Sequence, residues 1–157
     1  MKDTPTYTSD RGFTLVEIMI VVSIIGLLAA IAAPSFRKAR LAAQATAITN
    51  DLRVFHDAFQ TYTMSHGTFP PASVGPDTLP VGMEGYIKPT DWSDGVIGGG
   101  DYLWLYFIPV SQWVIYLDDA SRADLMQLVD EKLDDGDLTT GMFQQRAGTI
   151  NYFYIVE

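Results

Sequence analysis

A long apolar segment near the N-terminus constrains this chain more than any other feature. It runs from Phe13 to Ala33, and only Glu17 among these 21 residues carries a charge. A helix of that length reaches about 31 Å, which matches the roughly 30 Å hydrocarbon core of a bilayer. The segment therefore predicts one membrane-spanning helix, and a buried helix of a soluble domain is the less favoured alternative.

The residues before this segment do not follow the order of a secretory signal peptide. Residues 1–12 are polar, their basic and acidic side chains balance, and the small residue Gly12 precedes the apolar segment. A signal peptide carries its small-residue cleavage site after the apolar core. Cleavage at Gly12 would instead keep the apolar segment in the mature chain. A conventional site among the alanines just before Pro34 is the less favoured alternative.

From residue 35 the chain becomes amphipathic. Apolar residues recur at alternating spacings of four and three, the pattern of one helix face, and this stripe consists of Leu41, Ala45, Ile48, Leu52, Phe55, Phe59 and Tyr62. The helix is expected to end near His66 and Gly67, because the prolines that follow cannot continue it. Residues 13–34 are therefore the predicted transmembrane part of one long helix, and residues 35–65 its amphipathic part.

Residues 66–157 predict a loop followed by a small antiparallel sheet. Much of the Gly and Pro lies in residues 66–101, which favours a long loop with little regular structure. Four apolar runs of strand length then form two predicted hairpins: Tyr102–Ile108 with Trp113–Leu117, and Met142–Arg146 with Thr149–Val156. The predicted fold class is α+β, a long N-terminal helix packed on a small antiparallel sheet.

Two finer expectations concern the packing of this sheet. In its first strand Leu103, Leu105 and Phe107 share one face, and we expect this mostly aliphatic face to meet the helix stripe. Between the hairpins, Ala120–Leu133 is predicted to be a helix capped by Ser121, with its leucines and valine turned inward. The aromatic side chains of the sheet are expected in the core, with a partner surface as the alternative.

Composition removes several classes of function. Ten basic and nineteen acidic residues give a net charge of −9, which would repel a phosphate backbone and argues against nucleic-acid binding. The chain has no cysteine and only two histidines, His56 and His66. Thiolate metal sites and cysteine nucleophiles are excluded, and two histidines are few for acid–base catalysis. We expect that the protein is not an enzyme.

The segment Arg11-Gly12-Phe13-Thr14-Leu15-Val16-Glu17 resembles the processing and methylation site of type IV pilins and of the pseudopilins of type II secretion systems. The resemblance implies that residues 1–12 are a leader cleaved between Gly12 and Phe13, that Phe13 is N-methylated, and that Glu17 acts in assembly. It also implies a helix bend at Gly26 and Pro34.

The resemblance further implies a structural subunit of a pilus-like filament. Its expected partners are copies of itself, related minor pilin-like subunits, prepilin peptidase, the lipid bilayer, and inner-membrane assembly machinery with a cytoplasmic ATPase. The expected location is the bacterial inner membrane, crossed once, with the globular part in the periplasm. A pseudopilin is favoured over a major or minor type IV pilus subunit, because the globular part is small and free of cysteine. A membrane-anchored enzyme or binding domain is the less favoured alternative.

Glu17 carries a mechanistic argument of its own. A carboxylate inside an apolar helix is costly to bury and is usually paired or functional. No basic residue lies within the apolar segment, but cleavage after Gly12 would create an α-amine on Phe13. The amine of a neighbouring copy, staggered by about one turn, can then pair with Glu17. The alternative is that Glu17 extends to the lipid headgroups without a partner.

Two charged clusters leave open questions. The acidic cluster around Gly136 consists of Asp130, Glu131, Asp134, Asp135 and Asp137. Of these, Asp134, Asp135 and Asp137 form a calcium candidate, with a solvated turn as the favoured alternative. No other cofactor is expected.

A basic cluster at residues 37–40 follows the apolar segment, and the positive-inside rule alone would favour the opposite topology. We therefore expect this cluster to face acidic neighbours in a filament.

Overall fold

The computed structural model describes residues 12–97, 99–107, 109, 111–118, 120 and 122–156. The chain divides into two compact units, Met1–Ala39 and Arg40–Glu157. One helix, α1 (Leu15–His66), begins in the first unit and ends in the second. The predicted leader, apart from Gly12, lies outside the described residues.

In the first unit, α1 exposes its apolar side chains on every side. Its most apolar stretch has a mean hydropathy of 2.7 and no buried residue. Among the described residues it is the one helix long and apolar enough to cross a membrane. The helix continues through Gly26 and Pro34. Pro34 cannot donate a backbone hydrogen bond, but the bend expected at these two positions stays a prediction.

The second unit is built on one four-stranded antiparallel sheet. Its strands are β1 (Asp101–Phe107), β2 (Gln112–Asp118), β3 (Phe143–Gln145) and β4 (Tyr152–Ile155), in the spatial order β1-β2-β4-β3. Both predicted hairpins are confirmed: β1 pairs with β2, and β3 with β4. The α+β fold class is confirmed as well.

The amphipathic part of α1 packs on this sheet through the predicted stripe. Ala45, Ile48, Leu52, Phe55 and Phe59 are buried, and Leu41 and Tyr62 lie at the edge of the same core. The rings of Phe59 and Trp104 stack with their centroids 3.8 Å apart. Gly67 follows the helix with a φ of +77°, as expected of a glycine that ends a helix.

The expected orientation of β1 is wrong. Tyr102 and Trp104 face α1 and are completely buried, whereas Leu103, Leu105 and Phe107 lie in a smaller cluster on the opposite face. The phenyl rings of α1 present flat surfaces, on which large aromatic side chains stack well. Burying the larger aromatic side chains also removes more apolar area from water. The expectation that the sheet aromatics belong to the core is confirmed by their burial.

Two helices in the second unit differ from the sequence prediction. A five-residue helix, α2 (Pro89–Ser93), interrupts the predicted loop and buries Trp92. The helix α3 (Ala123–Leu133) begins three residues later than predicted, and the capping residue expected for it, Ser121, lies outside the described residues. Besides the expected Leu125 and Val129, α3 also buries a carboxylate, Asp130.

Loops cover both edges of the sheet. On the β1 edge, Ser73 N donates to Trp104 O at 2.8 Å and Asp77 N to Tyr102 O at 3.1 Å. On the β3 edge, Gln145 N donates to Leu138 O at 2.7 Å. The backbone groups that an edge strand would otherwise offer to another strand are thereby occupied at these positions.

Candidate functional site

Glu17 closes the first turn of α1 in a reciprocal pair with Thr14. Its Oε2 accepts hydrogen bonds from Thr14 N and Thr14 Oγ1, both at 2.8 Å, and Glu17 N donates to Thr14 Oγ1 at 3.3 Å. This is a capping box, formed by a Thr before the first helical turn and a Glu three residues later. The T-x-x-E pattern was present in the sequence, but its capping role was missed.

The capping box leaves part of the Glu17 carboxylate unused. Both bonds that the carboxylate accepts go to Oε2, and within the described residues nothing donates to Oε1. No described cation lies within ion-pair distance of Glu17. The side chain is therefore held in a fixed position with one oxygen able to accept a bond from another molecule.

The predicted cleavage site lies just before the helix. Gly12 and Phe13 precede the first helical residue and are exposed, Phe13 to 85%. A Cβ added at Gly12 would meet no atom within 4 Å. Packing in this chain therefore does not require glycine at position 12, which leaves recognition by another molecule as a reason for its small size.

The structure brings together three carboxylates at the end of α3. Asp130, Asp134 and Asp135 each offer an oxygen, and these oxygens lie within 4.8 Å of one another. Two of them belong to the predicted calcium candidate, whereas Asp137 is not part of the group. The sequence places Asp130 in the same acidic stretch, but only the packing of α3 reveals that it is buried.

Asp130 is the unusual member of this cluster. Its side chain is fully buried, and neither carboxylate oxygen has a hydrogen-bond partner among the described residues. Burial raises the pKa of Asp130 to about 6, and the negative charges of Asp135, Asp134, Asp137 and Glu131 add to the increase. An unpaired buried carboxylate is costly, so the cluster needs either a proton or a cation.

The loop that carries the other two carboxylates is shaped by its own hydrogen bonds. Asp134 accepts a bond from Met142 N, and Asp135 accepts bonds from Asp137 N at 2.9 Å and from Thr140 Oγ1 at 2.8 Å. Asp137 instead accepts two bonds from Thr139, which lower its pKa. Its carboxylate is thus engaged within the turn.

Gly141 allows the loop to close over Asp134. Its φ is +76°, and a side chain at this position would collide with the Asp134 carboxylate. Three carboxylates, one of them buried and unpartnered, form an oxygen-only donor set of the kind that calcium prefers. Asp130, Asp134 and Asp135 are therefore the residues that the structure brings together in a way that could hold a calcium ion.

Both histidines lie on α1 and contact neighbouring side chains. His66 is exposed at the end of α1, where its ring stacks on Tyr62 at 4.1 Å and its Nδ1 lies 2.8 Å from Ser65 Oγ. The same nitrogen lies 3.1 Å from Tyr62 O, so the contact belongs to the helix terminus. His56 lies beside Asp57 and the ring of Tyr154.

Comparison with known proteins connects the helix terminus to a family. Residues 8–33 match the family described as the prokaryotic N-terminal methylation motif. The chain is 31% identical over 108 residues to the type II secretion system core protein G of Klebsiella michiganensis, a match that covers 60% of this chain and 72% of that protein. The chain belongs to the type IV pilin-like family.

Other relatives in the pilin-like family include both pilins and secretion proteins. A type IV major pilin protein of Neisseria gonorrhoeae is 33% identical over 93 residues, which cover 57% of this chain and 56% of the pilin. The core protein G of Pseudomonas aeruginosa is 31% identical over 103 residues, which cover 65% of this chain and 67% of that protein. The chain thus spans about half of the pilin and two thirds of the secretion protein. The search of solved structures gave no significant match.

Proposed function

We propose that this protein is a structural subunit of a pilus-like filament, specifically a pseudopilin that supports type II protein secretion. The observation that carries the proposal is an apolar helix with no buried residue in its most apolar stretch and one positioned carboxylate in its first turn. Such a surface needs lipid before assembly and other helices afterwards. A type IV pilus subunit is the second candidate, supported by the similar identity to the gonococcal pilin.

Before assembly, the subunit is stored in the bacterial inner membrane with its globular part in the periplasm. Prepilin peptidase removes the leader between Gly12 and Phe13, and the new amine of Phe13 is methylated. Inner-membrane assembly machinery with a cytoplasmic ATPase then adds the subunit to a filament of copies and minor pilin-like subunits. The protein acts as a building block and not as an enzyme.

The first turn of α1 suggests how copies are aligned. The capping box holds Glu17 in place and leaves Oε1 able to accept another bond. The methylated Phe13 amine of a neighbouring copy is a cation and reaches this oxygen when the two helices are staggered by about one turn. The pair is selective because no basic residue lies within the apolar segment of either copy.

A charge-deleting variant, Glu17→Gln, tests this alignment. Glutamine can still form a capping box with Thr14, so the helix start is preserved while the negative charge is lost. Breaking one side of a buried ion pair costs roughly 3–5 kcal/mol. We expect filament recovered by shearing to fall at least tenfold, while the leader is still removed.

Thr14→Val is the matched control for the cap. It deletes the hydroxyl of the capping box and keeps the charge of Glu17, and we expect it to retain most assembly. Mass spectrometry of the membrane-extracted protein should begin at Phe13 with one added methyl group. Assembly of Glu17→Gln at the wild-type level would refute the alignment, and an intact Met1 would refute processing.

The proposed function includes a calcium ion at the acidic cluster. Asp130, Asp134 and Asp135 would hold it, and the bound ion would neutralise their charges and tie the end of α3 to the loop before β3. A ligand that binds only the folded state adds about 2.7 kcal/mol at a hundredfold excess over its Kd. The melting temperature of the chelator-treated full chain in detergent should therefore rise when calcium is added.

Two substitutions distinguish the carboxylates that the structure brings together from the set predicted from the sequence, which contains Asp137 in place of Asp130. Asp130→Asn removes a buried charge, so it should raise the melting temperature in chelator and abolish the response to calcium. Asp137→Asn removes a carboxylate outside the cluster and should leave the calcium response in place. If calcium shifts none of these melting temperatures at millimolar concentration, the cluster is not a calcium site.

A further inference from the structure

The sheet face opposite α1 carries a groove that the proposed function does not use. Its volume is about 510 Å³, and its lining includes Phe107, Pro109, Gln144, Arg146 and Phe153. The floor is apolar, since Phe107 and Phe153 belong to the cluster on this face and their rings lie 5.0 Å apart. An apolar floor with one charged side chain at its rim is a typical binding surface.

Arg146 is held at the rim in a defined position. Its Nη1 donates to Tyr116 Oη at 3.2 Å, and its guanidinium carbon lies 5.8 Å from the centre of the Phe107 ring. Asn151 donates to the same Tyr116 hydroxyl at 2.9 Å and helps to fix it. A guanidinium fixed by a ring and a hydroxyl loses little freedom when it binds a carboxylate.

The other polar side chains of the groove are already engaged. Gln144 Nε2 donates to Gly141 O and Gln145 Nε2 to Thr149 O, each at 2.7 Å. Within the described part of the chain, no carboxylate lies within ion-pair distance of Arg146. The remaining guanidinium hydrogens are thus the groove's charged donors. They can donate to a carboxylate, while the apolar floor can bury an apolar segment that carries it.

The charge of the second unit indicates where such a carboxylate comes from. Residues 40–157 contain sixteen acidic and six basic residues. Of the six basic side chains, only Arg122 forms an ion pair with a described carboxylate. Copies of so acidic a unit repel one another, so close packing is favoured by cations that form no ion pair with a described carboxylate of their own chain. Arg146 is such a cation, and it is the one that lines this groove.

We propose that the groove at Arg146 binds a carboxylate-bearing segment of a second copy of this chain, which makes the outer face of the sheet a contact between subunits. This inference rests on the proposed filament, because only there are copies held close together. It adds an attractive contact between the globular parts to the contact made by the N-terminal helices. Every copy offers both the groove and an excess of carboxylates.

The test uses the full chain in its native membrane, with a photo-crosslinking residue at Ala147. This position lines the groove and is exposed. Two co-expressed copies carry different tags, so an adduct of two copies contains both tags. We expect doubly tagged adducts in the sheared filament fraction, and we expect Arg146→Glu to reduce them at least fivefold.

Lys88→Glu is the matched control. Lys88 is exposed and lies outside the groove lining, and its replacement by Glu changes the net charge by the same amount as Arg146→Glu. It should reduce the adducts less than twofold, and Arg146→Lys should fall between the two. An adduct with a different protein, or equal effects of the two charge reversals, would overturn the inference. If filaments form normally but contain no doubly tagged adduct, the inferred contact at the groove is wrong and the proposed function stands. If the wild-type chain retains Met1 and forms no filament, the proposed function is wrong as well.

Discussion

The two parts of α1 form one continuous helix but meet different surroundings. From Leu15 to Ala39 every residue is exposed, whereas from Arg40 to His66 a stripe of apolar residues is buried against the sheet. The first part is apolar on all sides, and the second is apolar on one side only. A helix that is apolar all round requires lipid or other helices as its surroundings. The difference shows that, among the described residues, the chain supplies a packing surface only for the second part of the helix.

The largest expected effect comes from removing one phenyl ring in each part. Phe59 is fully buried and stacked on Trp104, whereas Phe36 is 73% exposed. Phe59→Ala should lower the unfolding free energy of the second unit by about 3–5 kcal/mol, because it leaves a cavity in a packed core. Phe36→Ala should change it by less than about 0.5 kcal/mol.

Chemical denaturation of the full chain in detergent, followed by tryptophan fluorescence, measures both variants. The three tryptophans all lie in the second unit, so the signal reports its unfolding. Equal losses from the two variants would contradict the comparison, since Phe36 would then need a packing partner of its own.

A smaller effect is expected from removing the apolar segment that precedes Ser35. A chain that begins at Ser35 keeps the buried stripe and all four strands. We expect it to be a soluble monomer whose unfolding free energy matches that of the full chain within about 1 kcal/mol. Gel filtration with light scattering measures its mass, and a requirement for detergent would mean that the stripe faces lipid instead of the sheet.

The smallest expected effect concerns a half-buried carboxylate on the second part. Burial raises the pKa of Asp51, the charge of Asp91 raises it further, and the nearby Tyr102 side chain opposes this increase. The folded state therefore binds a proton more tightly than the unfolded state, and the stability that this proton supplies is lost as the pH rises through the folded pKa.

Asp51→Asn removes this titration. At pH 7 the variant should be more stable than the wild type by less than about 1 kcal/mol, and the difference should shrink as the pH falls and the wild-type carboxyl takes up its proton. Thermal melts from pH 7 downward measure the difference. Asp94→Asn, which removes one negative charge at an exposed position, is the matched charge control. A difference that grows toward low pH would reverse the sign argued here.

The sequence predicted the features that depend on local periodicity. The stripe, the end of the helix at His66 and the two hairpins follow from the spacing of apolar residues and from the prolines. The family relation follows from one contiguous motif, which includes Gly12, Phe13 and Glu17. These signals lie within a few residues of one another, so no tertiary contact is needed to read them.

The features that were missed depend on contacts between distant residues. Alternation shows that Leu103 and Trp104 lie on opposite faces of β1, but only the rings of α1 decide which face is buried. Asp130 is buried because α3 packs on the core, which its own sequence does not reveal. Trp92 is buried by a helix of five residues, too short to leave a periodic pattern.

The covered sheet edges affect how such a protein can be stored. A membrane holds many copies side by side, and exposed strand edges at that density would join into continuous sheets and then into irreversible aggregates. Here the bonds from Ser73, Asp77 and Gln145 already occupy positions on the two edges. These groups are therefore not free to pair with a strand of another copy, which lowers the tendency of crowded globular parts to join edge to edge.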